Sequence, residues 1–279
     1  MTDLGGVSLN DPGVLANLPA PQGVPTEGPA IAMRALGKRF GDLIAVKGID
    51  LDVPRGSFFG LVGPNGAGKT TTLSMVTGLL RPDSGQAFVL GHDVWADPVA
   101  AKRLLGVLPD GLKLFDRLTG LQLITYAGLL RGMPRDLATS RATELIAALG
   151  LSEAQGKLVV DYSAGMTKKT TLACALVHAP RVLVLDEPFE AVDPVSAATI
   201  RRILEDYVAA GGTVVLSSHV MDLVQRLCSH VAVIADGQVL AVGQTDDVRS
   251  GRSLEERFVE LVGGSVEVEG LSWLRTSSD

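Results

Sequence analysis

The sequence predicts an α/β fold: a parallel core sheet, an antiparallel β side sheet and an inserted α-helical subdomain. Three observations carry that prediction. The apolar run Phe58–Val62 enters a glycine-rich turn and then a helical stretch from Lys69, which is the order strand, loop, helix. Beyond Met166, helical stretches alternate with short apolar runs, Val182–Leu185 fully so, which is the pattern of a parallel sheet. Between about residues 97 and 165 the pattern is helical and broken at glycine and proline.

The elements follow in order. Residues 1–29 hold five prolines and five glycines without apolar periodicity, and read as a flexible arm. Ile31–Leu36, Ile44–Val46 and Ile49–Val53 read as short strands, mostly antiparallel, before the turn Pro54-Arg55-Gly56 and the buried strand Phe58–Val62. A helix from Lys69 to about Leu80 ends at Arg81-Pro82-Asp83-Ser84-Gly85. The helical subdomain contributes Pro98–Leu105, Gly120–Arg131 and Arg135–Gly150. Helix Met166–His178, strand Val182–Leu185, helix Val195–Ala210 and strand Thr213–Ser217 complete the core. The runs Val231–Ala235 and Gln238–Val242 flank Asp236-Gly237, a two-residue hairpin signal that favours a type I′ turn. The main domain is expected over 30–263, with a polar tail over 264–279.

Composition removes several classes. The chain has 279 residues with 25 Lys+Arg against 31 Asp+Glu, a net charge of −6, so a broadly basic surface for nucleic acid is not expected and no nucleic-acid partner is assigned. Two cysteines, Cys174 and Cys228, lie among apolar residues and read as reduced, buried thiols rather than a disulfide framework. No run approaches the roughly 18 consecutive apolar residues of a membrane span, and the chain is expected to be soluble by itself.

Gly63-Pro64-Asn65-Gly66-Ala67-Gly68-Lys69-Thr70, followed by Thr71, matches the phosphate-binding pattern of P-loop NTPases and lies between a predicted strand and helix, as that chemistry requires. Glycines allow backbone N–H groups to turn inward around phosphates, and a helix N-terminus favours anions. Lys69 is expected to reach the β- and γ-phosphates of a nucleotide, and Thr70 to place its hydroxyl on Mg²⁺. The apolar run Val182–Leu185 ends in Asp186-Glu187 at the edge where open α/β sheets bind ligands. Asp186 is suited to hold Mg²⁺, and Glu187 to polarise the water that attacks the γ-phosphate. Adjacent strand residues point to opposite faces, which separates the two roles.

These residues resemble the nucleotide-binding subunits of ATP-binding cassette transporters over roughly 31–262. Tyr162-Ser163-Ala164-Gly165-Met166 is similar to the family signature Leu-Ser-Gly-Gly-Gln and is followed by a helix carrying Lys168 and Lys169. Ala191-Val192-Asp193 resembles the D-loop, and Ser217-Ser218-His219 the switch-histidine segment. The resemblance implies two cassettes, homodimeric or heterodimeric, pairing head to tail around two ATP molecules. Ser163 and Gly165 would then touch the γ-phosphate of the partner's ATP, Asp193 would support the facing site, and His219 would orient the attacking water. It further implies that Phe40 stacks on adenine, with Val46 against base or ribose. His92, His178 and His230 are read as structural.

The pattern departs from the family at several places. Where a glutamine is usual after Gly106-Val107-Leu108-Pro109, this chain has Asp110, a shorter, charged oxygen donor that can still take a catalytic and Mg²⁺-coordinating place. Ala164 and Met166 replace a signature glycine and glutamine. Tyr-Ser-x-Gly-Met and the segment Leu254–Leu261 resemble the exporter branch, whose membrane subunits are separate chains. The resemblance therefore implies an ATP-hydrolysing motor, peripheral on the cytoplasmic side of the cell membrane, that drives a separate transmembrane permease subunit. Leu114, Phe115, Leu118, Leu121 and Leu123 either receive that partner or belong to the core. Two rival readings stay open: a regulatory ATP-binding partner of another cassette, and a soluble cassette ATPase unconnected with transport.

Overall fold

The computed structural model describes residues 27–111 and 114–263. Most of the arm expected over 1–29, and all of the tail over 264–279, lie outside these residues. A four-stranded antiparallel sheet has the order β2-β1-β4-β5, built from β1 (Ile31–Phe40), β2 (Leu43–Val53), β4 (Ser84–Val89) and β5 (His92–Asp93). A six-stranded sheet has the order β10-β9-β3-β8-β7-β6, built from β3 (Phe58–Val62), β6 (Leu105–Leu108), β7 (Val182–Asp186), β8 (Thr213–Ser218), β9 (His230–Ala235) and β10 (Gln238–Gln244). All of its pairings are parallel except β9 with β10.

The six-stranded sheet divides two hydrophobic cores, because alternate residues of each buried strand face opposite sides. Phe59, Leu61, Val182 and Val184 face one core, shared with the antiparallel sheet and helix α1 (Lys69–Val76). Phe58, Val62, Leu183 and Leu185 face the other. That second core also takes Ile124 of α3 (Gly120–Leu130), Ile146 of α4 (Arg135–Ala148), Leu172 of α5 (Ala164–Leu176) and Leu204 of α6 (Pro194–Ala209). Burial on both faces is why β3 and β7 read as unbroken apolar runs.

Several boundaries differ from the sequence reading, each for a local reason. The runs Ile44–Val46 and Ile49–Val53 are one strand, β2, in which Gly48 is left unpaired: Leu36 pairs with Ile49 and Gly37 with Lys47. The extra residue shifts the phase of the alternation, so one bulged strand looks like two. The turn expected over Arg81–Gly85 gives way at Ser84 to β4. The region read as helical from about residue 97 contains β6, which follows α2 (Pro98–Leu104) without a turn and joins the edge of the parallel sheet. Four apolar residues after a helix carry no period of their own. Three short helices not assigned from the sequence close the fold: α7 (Met221–Leu227), α8 (Thr245–Arg249) and α9 (Leu254–Val262), the last opened by a capping box of Ser253 and Glu256.

Among the described residues no helix is long and apolar enough to cross a membrane. Both cysteines are free thiols; burial pushes Cys174 up to about 12. His178 is structural, as expected: its Nε2–H donates to the Leu105 carbonyl at 2.9 Å. Burial, with Arg131 and Arg141 nearby, lowers it to about 4, so the imidazole is neutral at physiological pH. Leu123 is core, whereas Phe115 stays 62% exposed, edge-on to the Tyr126 ring at 6.1 Å.

Candidate functional site

The loop from β3 to α1 runs Gly63–Gly68, and its form is set by neighbouring backbone rather than by side chains. Gly68 caps α1 at φ 101° with no side-chain hydrogen bond to the helix, which leaves the first-turn N–H groups available. A Cβ there would lie 2.6 Å from the Ala45 carbonyl oxygen, so only glycine fits. The Ala67 carbonyl accepts from Gly237 N–H at 3.0 Å. In a planar trans peptide the C=O and the next N–H point in opposite directions, so the Gly68 N–H is turned away from Gly237. Pro64, Asn65, Gly66 and Thr70 are exposed around the mouth, with Thr71 half-buried behind them.

Lys69 is buried, and its Nζ donates to the Gly63 and Pro64 carbonyls at 2.7 and 3.1 Å. Burial pulls the ammonium below the usual lysine value, while Glu187 and Asp186 oppose that pull. The Glu187 Oε1 lies 3.9 Å from this nitrogen and 3.1 Å from His219 Nδ1. Lys69, His219 and the pair Asp186-Glu187 thus meet at the carboxyl ends of three adjacent strands, β3, β8 and β7.

Ser217, which sequence reasoning noted only beside the histidine, joins these groups. Its hydroxyl donates to Asp186 Oδ1 and accepts from Glu187 N–H at 3.0 Å. Asp186 and Ser217 are register partners, a contact that pairing of β7 with β8 creates and no local pattern signals. Glu187 has φ 45°, in the left-handed region, which costs a non-glycine residue about 1–2 kcal/mol. Its carbonyl accepts from Lys168 Nζ at 2.9 Å and from Glu190 N–H at 3.2 Å.

The remaining expected residues fall into distinct places. Phe40, at the end of β1, is 48% exposed, with Lys38 Nζ 5.7 Å from its ring centroid. Val46 is a correction: at 1% exposure it belongs to the core under the loop and offers no surface to a base or ribose. The half-exposed neighbour on the opposite face of β2 is Ala45. Asp110 stands in the loop after β6, its carboxylate 3.8 Å from Lys168 Nζ. Ser163, Gly165 and Asp193 form a second group. Ser163 caps α5, accepting from Met166 N–H at 3.3 Å, and Asp193 caps α6, accepting from Val195 and Ser196 N–H. Hydrogen bonds from Ser196 hold the Asp193 carboxyl below its usual range. A Cβ on Gly165 would lie 2.8 Å from Asp193 Oδ2, so the two caps are packed together.

The donor set fits a divalent cation of the Mg²⁺ class. Asp186 is a buried carboxylate whose partner is one hydroxyl, Thr70 offers a second oxygen, and Mg²⁺ takes one or two protein oxygens with phosphate and water supplying the rest. No cluster of three or more His, Cys, Asp or Glu exists among the described residues, so an all-protein metal cage is absent there.

Residues 46–190 match the family model described as ABC transporter. The daunorubicin/doxorubicin resistance ATP-binding protein of Streptomyces peucetius is 39% identical over 221 residues, covering 79% of this chain and 67% of that protein. The linearmycin resistance ATP-binding protein of Bacillus subtilis is 35% identical, covering 76% of this chain and 68% of its own length. Among solved structures, an ATP-binding subunit of an ABC transporter superposes with a TM-score of 0.78 at 26% identity, over 84% of this chain and 99% of that one.

Proposed function

The chain belongs to the ABC transporter family as an ATP-hydrolysing cassette, and from that premise we propose that it is the motor subunit of an exporter, acting on a separate transmembrane subunit through ATP-dependent pairing of two cassettes. The drug-resistance relatives support export, and a cassette that acts on a separate transmembrane subunit while using ATP would sit peripherally on the cytoplasmic face of the membrane. The observation that carries the hydrolytic reading is the convergence of Lys69 and His219 within 3.9 Å of one carboxylate oxygen of Glu187 at the carboxyl ends of the strands.

The exposed face of Phe40 stacks on adenine, and Gly68 N–H with the uncapped first turn of α1 binds phosphate oxygens. Lys69 exchanges the Gly63 and Pro64 carbonyls for β- and γ-phosphate oxygens. Glu187 takes a proton from water as the water oxygen bonds to the γ-phosphorus and the bond to the ADP oxygen breaks. His219, whose Nδ1 lies 3.1 Å from the same carboxylate, orients that base and donates to the γ-phosphate. Thr70 and Asp186 would hold Mg²⁺, which neutralises charge on the phosphates when bound. Ser163 and Gly165, at the start of α5, present N–H groups to the ATP of the facing cassette, with Asp193 beside them.

The test is light scattering on Glu187→Gln protein with and without Mg²⁺-ATP, beside turnover of both proteins. The expected result is an ATP-dependent shift from monomer to dimer and a loss of turnover of about 100-fold or more, the scale of removing a positioned base. Turnover equal to the parent protein would remove Glu187 from the role. A monomer under all conditions together with an inactive parent protein would favour a regulatory cassette that needs a different partner.

A further inference from the structure

Lys168 stands outside the roles assigned so far, yet it touches the centre of the site. It lies on α5, five residues after the cap Ser163, which is about one and a half helical turns. Its side chain is 20% exposed; the ammonium donates to the Glu187 carbonyl at 2.9 Å and lies 3.8 Å from Asp110 Oδ1. Glu187 occupies the left-handed region at φ 45°, a conformation that a non-glycine residue keeps only when its surroundings impose it. Both of its peptide groups are held: the N–H by Ser217 Oγ, the C=O by Lys168 Nζ and Glu190 N–H. With the backbone so fixed, Oε1 falls between His219 Nδ1 and Lys69 Nζ.

We infer that Lys168 is a positioning residue for hydrolysis: it holds the Glu187 backbone in its left-handed conformation, takes Asp110 as its counter-charge, and so transmits displacement of the α5 N-terminus to the base. This rests on Glu187 being the base. Ser163 begins the helix that carries Lys168, so whatever engages the start of α5 moves the ammonium along with it. Asp110 comes from the loop after β6 and reaches the same ammonium, which gives that loop a charged connection to the end of β7. A neutral amide at residue 110 would make no ion pair there; an aspartate and a lysine face each other in this chain.

The experiment separates kcat from nucleotide affinity in Lys168→Met and Lys168→Arg, with Glu187→Gln as reference and melting temperature as the control for folding. Lys168→Met is expected to lower kcat about tenfold or more while the Kd for ATP moves less than about threefold, because the groups that bind phosphate are untouched. Lys168→Arg, which keeps charge and donors, is expected to recover most of that loss and also serves if the methionine variant folds poorly. Combining Lys168→Met with Asp110→Asn should lower kcat by less than the product of the two separate effects, since both act through one contact. Lys168→Met with the parent kcat, or Lys168→Arg as impaired as Lys168→Met at equal stability, would overturn the inference. Effects that multiply would detach Asp110 from it. If Glu187→Gln retains turnover, the base assignment fails first; if Glu187→Gln is inactive and Lys168→Met is normal, only this inference fails.

Discussion

Lys69 is held by its own loop before any ligand arrives, with two carbonyls occupying the ammonium that phosphate oxygens would take. Nucleotide binding at this residue is therefore an exchange of partners, and its gain is the difference between neutral carbonyl contacts and charged phosphate ones. A charge-assisted contact contributes about 1.5–3 kcal/mol net, so Lys69→Ala is expected to weaken ATP binding by about 10- to 100-fold, measured by calorimetric titration. Unchanged affinity would place the phosphates elsewhere. Lys69, Asp186 and Glu187 were legible in the sequence because their motifs fix spacing within a few residues of chain. Ser217 and Lys168 were not legible as partners, since their contacts to Asp186 and Glu187 come from strand pairing and helix packing between distant segments. Val46 was misjudged because the register of a bulged strand, not its sequence position, decides which side chain points inward.

At the scale of elements, the hairpin turn between β9 and β10 does more than reverse the chain. Asp236 and Gly237 both have positive φ, 49° and 72°, as the Asp-Gly pair predicted for a type I′ turn. Gly237 N–H donates to Ala67 in the phosphate loop, while Lys47 N–H of β2 donates to the Gly237 carbonyl at 2.8 Å, so the turn ties the side sheet to the loop. A Cβ at Gly237 would lie 2.8 Å from the Ala45 carbonyl oxygen, which is backbone and cannot swing aside. Gly237→Ala is expected to raise the Kd for ATP about tenfold through the displaced loop and to lower the melting temperature by several degrees, consistent with about 1–2 kcal/mol of backbone strain. Parent-like binding in a folded variant would show that the turn does not shape the loop. Dipeptide chemistry made this hairpin readable in advance. Short helices such as α7 and α8, and the four-residue strand β6, carry too few residues to show a period and depend on the finished core for their stability.

For the whole molecule, the layering was legible and its seams were not. A phosphate loop between strand and helix, and helices alternating with apolar runs, suffice to predict a parallel sheet covered on both sides; they leave open where a subdomain joins that sheet. The span assigned to helices from about residue 97 hides a core strand because β6 leaves α2 with no intervening turn. The sheet that results lines both hydrophobic cores, with Val184 facing one and Leu185 the other. Neither core can lose that wall and persist, so heat should be absorbed in one event, with calorimetric and van't Hoff enthalpies in agreement. Two resolved endotherms would mean that the cores melt independently. Since the phosphate loop hangs from the carboxyl end of β3, an interior strand of this shared wall, ATP should move the single endotherm upward as a whole: a ligand gripped at one rim raises the temperature at which both halves of the molecule come apart.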